Sequence, residues 1–175
     1  MKKFELTAES KINIFGKKLF RIKALISFGD VEEGETGGWI EKEENLEQSS
    51  GDAWVYGNAE VSGDARVSGN AEVSGNARVS GDAWVYGDAR VSGNAEVSGN
   101  ADYTTIHGFG TQFRTTTFFQ CEDKQIRVSC GCFLGTIPEF REQVKNTREG
   151  KIAEEYLMIA DLMEKHFVKE KESGE

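Results

Sequence analysis

The hydrophobic pattern in the middle of the chain repeats every six residues. From Gly51 to Ser98, eight consecutive hexads follow Gly-[Asn/Asp]-Ala-x-Val-[Ser/Tyr], and a ninth, Gly99–Thr104, has Tyr in place of Val. Ala and Val are two residues apart, so in a strand they point to one face and the variable positions point to the other. Gly followed by Asn or Asp is typical of a bend. The pattern predicts short strands joined by corners, with Ala and Val forming a continuous interior when the coils stack.

These hexads resemble the hexapeptide-repeat proteins, whose chains wind as a left-handed parallel β-helix. Val matches the large aliphatic position of that family, and Ala matches its small position. The resemblance implies that three hexads form one coil, so that residues 18 positions apart stack at about 4.8 Å. The expected fold is therefore mainly β, with a short left-handed parallel β-helix at residues 51–104.

The outward positions of the hexads support a coil of three hexads. In such a coil the outward columns are Glu60, Arg78 and Glu96; then Trp54, Glu72 and Arg90; then Arg66, Trp84 and Asp102. None of these columns places like charges on neighbouring strands, and opposite charges there are stabilising. Three coils form a rod about 14 Å high, which is too short for a long fibre.

Residues 1–50 are predicted to form an N-terminal β hairpin and an irregular capping coil. Two strand-like segments, Lys11–Phe15 and Leu19–Ile26, flank the turn Gly16–Lys18. We expect Trp39 to cover the open end of the Ala/Val interior.

Residues 105–175 are predicted to form a C-terminal ββαα unit. The segments Phe113–Phe119 and Gln125–Cys130 are typical of paired strands, and Cys121–Lys124 is the turn between them. A unit of this size is too small to be stable alone, so we expect it to pack on the rod or on a partner subunit.

Two helices are predicted in this unit. The first starts at Thr136, where Thr is the N-cap, Pro lies in the first turn and Glu139 is at the third position. Phe140 and Val144 share one face of this helix. The second begins near Lys151, and its apolar stripe consists of Ile152, Tyr156, Ile159, Met163 and Phe167.

Charge limits the classes of partner. The chain has 30 acidic residues against 21 Lys and Arg, a net charge of −9, which argues against binding duplex nucleic acid or an anionic membrane by bulk charge. Residues 1–28 carry +5 and residues 29–50 carry −7, counted from the sequence. The two blocks are expected to face each other or a neighbouring subunit, with two separately solvated blocks as the alternative.

The sequence also suggests where the protein works. We expect no membrane-spanning helix, because no apolar run reaches about 18 residues, and no secretory signal, because the first residues lack a long apolar core. Three cysteines are an odd number, which argues against a secreted disulfide framework. These features favour a cytoplasmic protein.

A second resemblance concerns the C-terminal unit. The run Cys130–Thr136, followed by Glu139-Phe140, resembles a C-terminal module of phage and prophage proteins. The segments Trp39–Glu41 and Asn45-Leu46, which precede the hexads, are similar to the same group. The resemblance implies an origin in a mobile element, and therefore the cytoplasm of a bacterial host cell as the expected location. It implies no particular activity.

Catalysis and metal binding have weak candidates. Acyl transfer is the commonest enzymatic use of hexapeptide rods and uses a His at a groove between subunits, for which His107 is the candidate. The carbonic-anhydrase-like branch needs three His on one metal, whereas this chain has two His in all. Three thiolates and an imidazole are a legitimate zinc set, although their spacing is not a recognised knuckle and buried unliganded cysteine is the alternative. The candidate ligands are Cys121, Cys130, Cys132 and His107. No cofactor is expected.

The outward aromatic residues are more informative. Trp54 with Tyr56, and Trp84 with Tyr86, are expected to project from the rod as two apolar patches, and such patches usually mark contacts. A homotrimer interface, which the hexapeptide family commonly forms, is one interpretation. A binding surface for another protein or for a stacked base is the other.

The most specific function that the sequence supports is a non-catalytic, oligomeric binding module. A phage origin favours a counter-defence role, in which the protein binds or sequesters a host protein or a small nucleotide signal. Arg114, Arg127 and Arg148 are the candidates for meeting phosphates near the aromatic residues. The alternatives are a hexapeptide-type acyltransferase and a structural component of virion assembly.

Overall fold

The computed structural model of the chain describes residues 1–168. The strands before the hexads are β1 (Phe4–Ile12), β2 (Lys18–Ala24) and β3 (Thr36–Ile40). Those of the hexads are β4 (Trp54–Val55), β5 (Glu60–Val61), β6 (Arg66–Val67), β7 (Glu72–Val73), β8 (Arg78–Val79), β9 (Trp84–Val85), β10 (Arg90–Val91) and β11 (Glu96–Val97). The C-terminal elements are β12 (Tyr103–Phe109), β13 (Arg114–Gln120), β14 (Ile126–Cys130), β15 (Phe133–Thr136), α1 (Ile137–Thr147) and α2 (Gly150–His166).

The hexads form a short parallel β-helix with a coil of 18 residues. Their strands stack in three columns, β4-β7-β10, β5-β8-β11 and β6-β9. In the first column Glu72 lies between Trp54 and Arg90 in parallel register. Every Ala and Val of the eight regular hexads is at most 1% exposed. The predicted period and the predicted interior are both confirmed.

Positive φ explains the glycine that begins each of the eight regular hexads, and at several corners the close approach of the next coil adds a second reason. Gly51 has φ of +64°, and a Cβ atom there would lie 2.0 Å from the carbonyl oxygen of Gly69 in the next coil. A side chain at that corner would therefore force the two coils apart. The following Asn or Asp position adds a polar ladder, as where the Asn70 amide donates to the Asp88 carboxylate at 3.0 Å.

The ninth hexad does not continue the helix. Residues Asn100–Asp102 form a 3-10 turn, so the prediction that Asp102 stacks on Trp84 is wrong. The reason is local: the Asp102 carboxylate accepts hydrogen bonds from the backbone N–H groups of Ser98 and Gly99, at 2.9 and 3.1 Å. These bonds fold the chain back before it can reach the outer column.

The predicted hairpin is present, but its strands have other bounds: β1 ends at Ile12, so that most of the predicted strand Lys11–Phe15 lies in the turn, and β2 ends at Ala24 instead of Ile26. Its first strand begins at Phe4, where buried Phe4 and half-buried Leu6 alternate with polar residues. The sequence analysis did not recognise this short alternation as a strand. Strand β2 pairs with β3, and β3 pairs in parallel with β5. The hairpin therefore extends one side of the β-helix.

The expectation for Trp39 is wrong. Trp39 pairs in register with Glu60 and so occupies the outward position of its column. Lys11 and Arg21 cover its ring, at 4.6 and 4.8 Å from the ring centre. Because neighbouring residues of a strand point to opposite faces, the inward position falls to Ile40.

The open end of the interior is instead covered by two aliphatic residues. Ile40 lies in register with Val61, and Leu46 forms a parallel bridge with Val67. Both are at most 2% exposed. The irregular capping coil thus supplies larger side chains at the positions where the hexads have Val.

The basic and acidic blocks face each other. Lys2 pairs with Glu43, and Lys17 pairs with Glu41 at 3.2 Å. Glu41 also accepts a hydrogen bond from the Gly63 N–H at 2.7 Å, and this bond is the main cause that lowers the pKa of its carboxyl. The ion pairs join the N-terminal segment and the hairpin to the capping coil, and the Glu41 hydrogen bond joins this coil to the corner at Gly63.

A four-stranded antiparallel sheet, in the order β12-β13-β14-β15, covers the other end of the β-helix. Its central strand alternates: Phe119 packs into the Ala/Val interior, whereas Phe118 packs against the helices. Cys121 forms an antiparallel bridge with Ala95 of the last coil. The predicted ββαα unit is therefore ββββαα. The sequence pattern missed the first strand because it continues the ninth hexad, and it missed the last because that strand is only four residues long and runs directly into α1.

Both helices follow the sequence. Thr136 is the N-cap of α1 and forms a reciprocal capping box with Glu139, whose carboxylate accepts from the Thr136 N–H at 2.7 Å. Phe140, Val144, Tyr156 and Ile159 pack in one cluster, as the apolar spacing predicts. Within residues 1–168, neither helix has an apolar stretch long enough to cross a bilayer.

One of the two predicted aromatic patches is buried. Trp54 is 0% exposed, and its ring packs edge-on against Phe28 and Phe4, with ring centres 5.4 and 6.1 Å away. The expectation that Trp54 is exposed is wrong, because the hairpin and the chain that follows it cover this side of the first coil. Trp84, in an identical hexad, is 51% exposed.

This difference gives a matched test of the fold. We expect Trp54→Ala to lower the free energy of unfolding by about 3–5 kcal/mol, since it leaves a large cavity. At a concentration at which the chain is monomeric, we expect Trp84→Ala to lower it by less than about 1 kcal/mol, since its ring faces solvent in the single chain. Urea unfolding followed by circular dichroism measures both. Equal losses for the two variants would contradict the described burial.

Candidate functional site

Two of the three predicted arginines line one cleft in the C-terminal unit. The cleft has a volume of about 230 Å³ and lies between the β12–β13 turn, the β14–β15 turn and the end of α1. Its walls include Phe109, Arg114, Cys130, Cys132, Phe133, Arg148 and Tyr156.

Backbone geometry places Arg114 at this cleft. Arg114 follows Phe113, which has φ of +50° in the turn between β12 and β13. One terminal nitrogen of Arg114 donates to the Gln112 side-chain oxygen at 2.7 Å. The other lies against Gly131, where a Cβ atom would approach it to 2.3 Å. The absence of a side chain at Gly131 therefore makes room for the guanidinium.

Arg148 comes from the end of α1. Its backbone N–H donates to the Val144 carbonyl, and its guanidinium donates to the Thr147 carbonyl, both at 2.9 Å. Both Arg114 and Arg148 are exposed. Within residues 1–168, neither has a carboxylate within 4.0 Å, in contrast to Arg90, Arg127 and Arg141.

Tyr156 lines the same cleft as the two arginines, and both affect the pKa of its hydroxyl. Its hydroxyl donates to the Phe109 carbonyl at 3.2 Å. Burial of the phenol raises the pKa of Tyr156, and the neighbouring Cys130 thiol raises it further, whereas Arg148 and Arg114 both oppose this shift. Arg114 and Arg148 thus both act electrostatically on the Tyr156 hydroxyl, and all three residues line the same cleft.

The chemistry of this cleft suits an anion. A guanidinium offers a planar set of donors that matches the oxygens of a phosphate, and two such groups can hold one phosphate between them. Phe109 and Phe133 add an apolar wall beside the charges. This combination fits a molecule with a phosphate at one end and a less polar remainder.

Arg127 does not belong to this cleft. It lies near the other end of β14 and pairs with Asp123 at 2.6 Å. Its own surroundings are a different cleft, of about 590 Å³, which Glu122 and Glu139 also line. The sequence analysis named Arg127 as a candidate for binding phosphate. The fold surrounds it with carboxylates instead, so it is a poor site for an anion.

The second candidate surface is the Trp84–Tyr86 pair. Tyr86 is 59% exposed, and the two ring centres are 5.6 Å apart. The Trp84 indole N–H donates to the Ser68 hydroxyl at 2.9 Å, which fixes the ring. These rings and Tyr103 line a cleft of about 550 Å³. Tyr56, which was expected to be exposed beside Trp54, is half-buried, and burial raises its pKa to about 12.

The proposed metal ligands are dispersed. Cys121 is buried under the last coil, Cys130 and Cys132 line the arginine cleft, and exposed His107 pairs with the Thr115 hydroxyl at 3.0 Å. Within residues 1–168, no group of three or more His, Cys, Asp or Glu side chains is placed to hold a metal ion. His107 also lies outside the lining of the arginine cleft.

The sequence patterns missed the roles of Tyr156, which lines the cleft, and of Gly131, which lies against Arg114. Tyr156 was assigned to an apolar stripe, and the signal for its second role is the hydroxyl that it carries among aliphatic neighbours. Gly131 lay inside the Cys130–Thr136 run, where Gly between two Cys indicates a tight turn. Only the fold shows that this turn faces Arg114.

Comparison with known families agrees with the architecture. A family model described as the YdcK beta solenoid repeat matches residues 71–87. The match spans just under one coil and contains Trp84 and Tyr86, but not the arginine cleft. No curated protein matches the chain. By its fold, the chain is a β-solenoid protein with an added sheet-and-helix unit.

The reactivity of the three thiols tests the burial that the fold assigns to each of them. Burial raises the pKa of Cys121 to about 11, so at pH 8 its thiol is almost entirely protonated and shielded. We expect a thiol reagent to label exposed Cys132 first and Cys121 only after unfolding. Peptide mapping after timed labelling gives the order. Rapid labelling of Cys121 in the folded protein would contradict its position between the last coil and the sheet.

Proposed function

We propose that the protein is a non-catalytic binding module that sequesters a small phosphorylated molecule of the nucleotide class in the arginine cleft. The observation that carries this proposal is the convergence of Arg114 and Arg148, from different elements, on one cleft without a carboxylate partner among residues 1–168.

Electrostatics supports an anionic ligand. The chain carries a net charge of −9, so acidic side chains are abundant, yet none pairs with these two guanidinium groups among the described residues. Two like charges at one cleft repel each other. A phosphate that accepts from both would remove this repulsion and form charge-assisted hydrogen bonds.

The shape of the region accommodates more than a phosphate. The arginine cleft shares Thr111, Gln112, Thr147 and Arg148 with a neighbouring hollow of about 590 Å³. A phosphate at Arg114 and Arg148 would leave this hollow for the remainder of the molecule. Phe109 and Phe133 offer apolar contact on the other side.

The role in the cell rests on the resemblance. Cys130, Cys132 and Phe133, which belong to the phage-like run, form one wall of the cleft. Sequestration of a host nucleotide signal by a phage protein would be a counter-defence function, carried out in the cytoplasm by an oligomer. The β-solenoid then serves as the rigid support of the binding unit.

The cleft is tested by titration with AMP and with pyrophosphate. We expect Arg114→Ala and Arg148→Ala each to weaken binding about tenfold or more, because a hydrogen bond to a charged group contributes about 1.5–3 kcal/mol. Isothermal titration calorimetry measures the affinity. Raising the salt concentration should weaken binding to the wild type more than to either variant.

Arg127→Ala is the matched control, since Arg127 is the third predicted arginine and is paired outside the cleft. It should retain the affinity of the wild type. A wild type that binds neither compound at millimolar concentration, or an Arg127→Ala variant as weak as the other two, would contradict the proposal.

A further inference from the structure

The tip of the N-terminal hairpin extends past the end of β3, its neighbour in the sheet. Phe20 of β2 pairs with Ile40, the last residue of β3. The pairing of β1 with β2 continues beyond this point to Ile12 and Lys18. The tip, residues 12–18, therefore extends past the end of its neighbouring strand in the sheet.

This tip is apolar and ordered. Ile14 is 70% exposed and Phe15 is 54% exposed, and Ile12 beside them is also exposed. The Asn13 side-chain oxygen accepts from the backbone N–H groups of Phe15 and Lys17, at 3.0 and 2.9 Å. A turn fixed in this way presents large apolar side chains to solvent, which is typical of a contact surface.

The tip is also basic. Lys18 is exposed and lies over the Phe20 ring, at 5.1 Å from the ring centre, and Lys17 is half exposed although it pairs with Glu41. A surface that receives this tip should therefore combine apolar side chains with carboxylates.

The chain itself presents such a surface. Trp84 and the carboxylates of Glu43, Glu44 and Glu47 line a cleft of about 410 Å³, and Arg66 is its one basic lining residue within residues 1–168. Glu44 is exposed and has no basic partner within 4.0 Å among residues 1–168. We define this cleft as the Trp84 groove.

The groove lies on the side of the β-helix that the hairpin leaves free. The hairpin extends the β5-β8-β11 column, whereas the β6-β9 column, which contains Arg66 and Trp84, is a separate two-stranded sheet. Its outer face therefore stays open for a partner.

We propose that the hairpin tip of one copy docks into the Trp84 groove of a second copy of this chain. Ile14 and Phe15 would pack on the exposed indole, and Lys17 and Lys18 would meet Glu44 and Glu47. Because tip and groove are different surfaces, the contact is heterologous, and copies joined in this way form a closed ring or an open chain. This inference does not depend on the phosphate ligand.

Native mass spectrometry and sedimentation velocity at micromolar concentration test the contact. We expect the wild type to be oligomeric, and both the double variant Ile14→Ser/Phe15→Ser and the variant Trp84→Ala to be monomeric. Phe113→Ser is the matched control, because Phe113 is 65% exposed in a different turn, and it should leave the oligomer intact. Circular dichroism verifies that each variant is folded.

Mixing the two monomeric variants distinguishes this contact from a symmetric one. The tip variant keeps its groove and the groove variant keeps its tip, so a heterologous contact predicts a heterodimer with one intact interface. A monomeric wild type, oligomers that survive either variant, or a mixture without heterodimer would overturn the proposal. Loss of binding to phosphatidylglycerol vesicles in the tip variant, with its oligomer unchanged, would assign the tip to a membrane surface instead.

Discussion

The close stacking of residues 18 positions apart is the constraint on which the whole structure depends. At Gly51 and Gly81 a Cβ atom would come within 2.0 and 2.1 Å of a carbonyl oxygen in the next coil, so these two corners exclude a side chain. Given this stacking, each Ala and Val lies above another, and the backbone N–H groups of one coil meet carbonyls of the next. The interior is apolar and narrow, and the coils alone do not cover its two ends. Its stability therefore depends on what covers those ends.

The two flanking units solve this problem in different ways. At the first end the capping coil keeps the geometry of the β-helix and places Ile40 and Leu46 where the hexads have Val. At the other end a sheet covers the interior with Phe119 on one face and packs on the helices with Phe118 on the other. The arginine cleft belongs to this second unit. The rod thus supports the cleft without contributing side chains to its lining.

The sequence predicts whatever follows from local periodicity. The eight regular hexads, the helix start at Thr136 and the apolar faces of both helices were confirmed. Sequence analysis fails where the burial of a side chain depends on segments that are distant along the chain. Trp54 and Trp84 have identical hexads, yet one is covered by Phe4 and Phe28 and the other faces solvent. In the same way, the sequence offered three arginines as phosphate-binding candidates without distinguishing among them. The fold places Arg114 and Arg148 at one cleft and Arg127 at another.

The central claim is that the arginine cleft holds a phosphorylated molecule. Its most direct test is native mass spectrometry of protein purified gently from cells, compared with the Arg114→Ala/Arg148→Ala double variant prepared in the same way. The account predicts an additional mass on the wild type, which releases a phosphorus-containing compound on denaturation and is missing from the variant. A bare wild-type chain, or an additional mass that the variant retains, would contradict it.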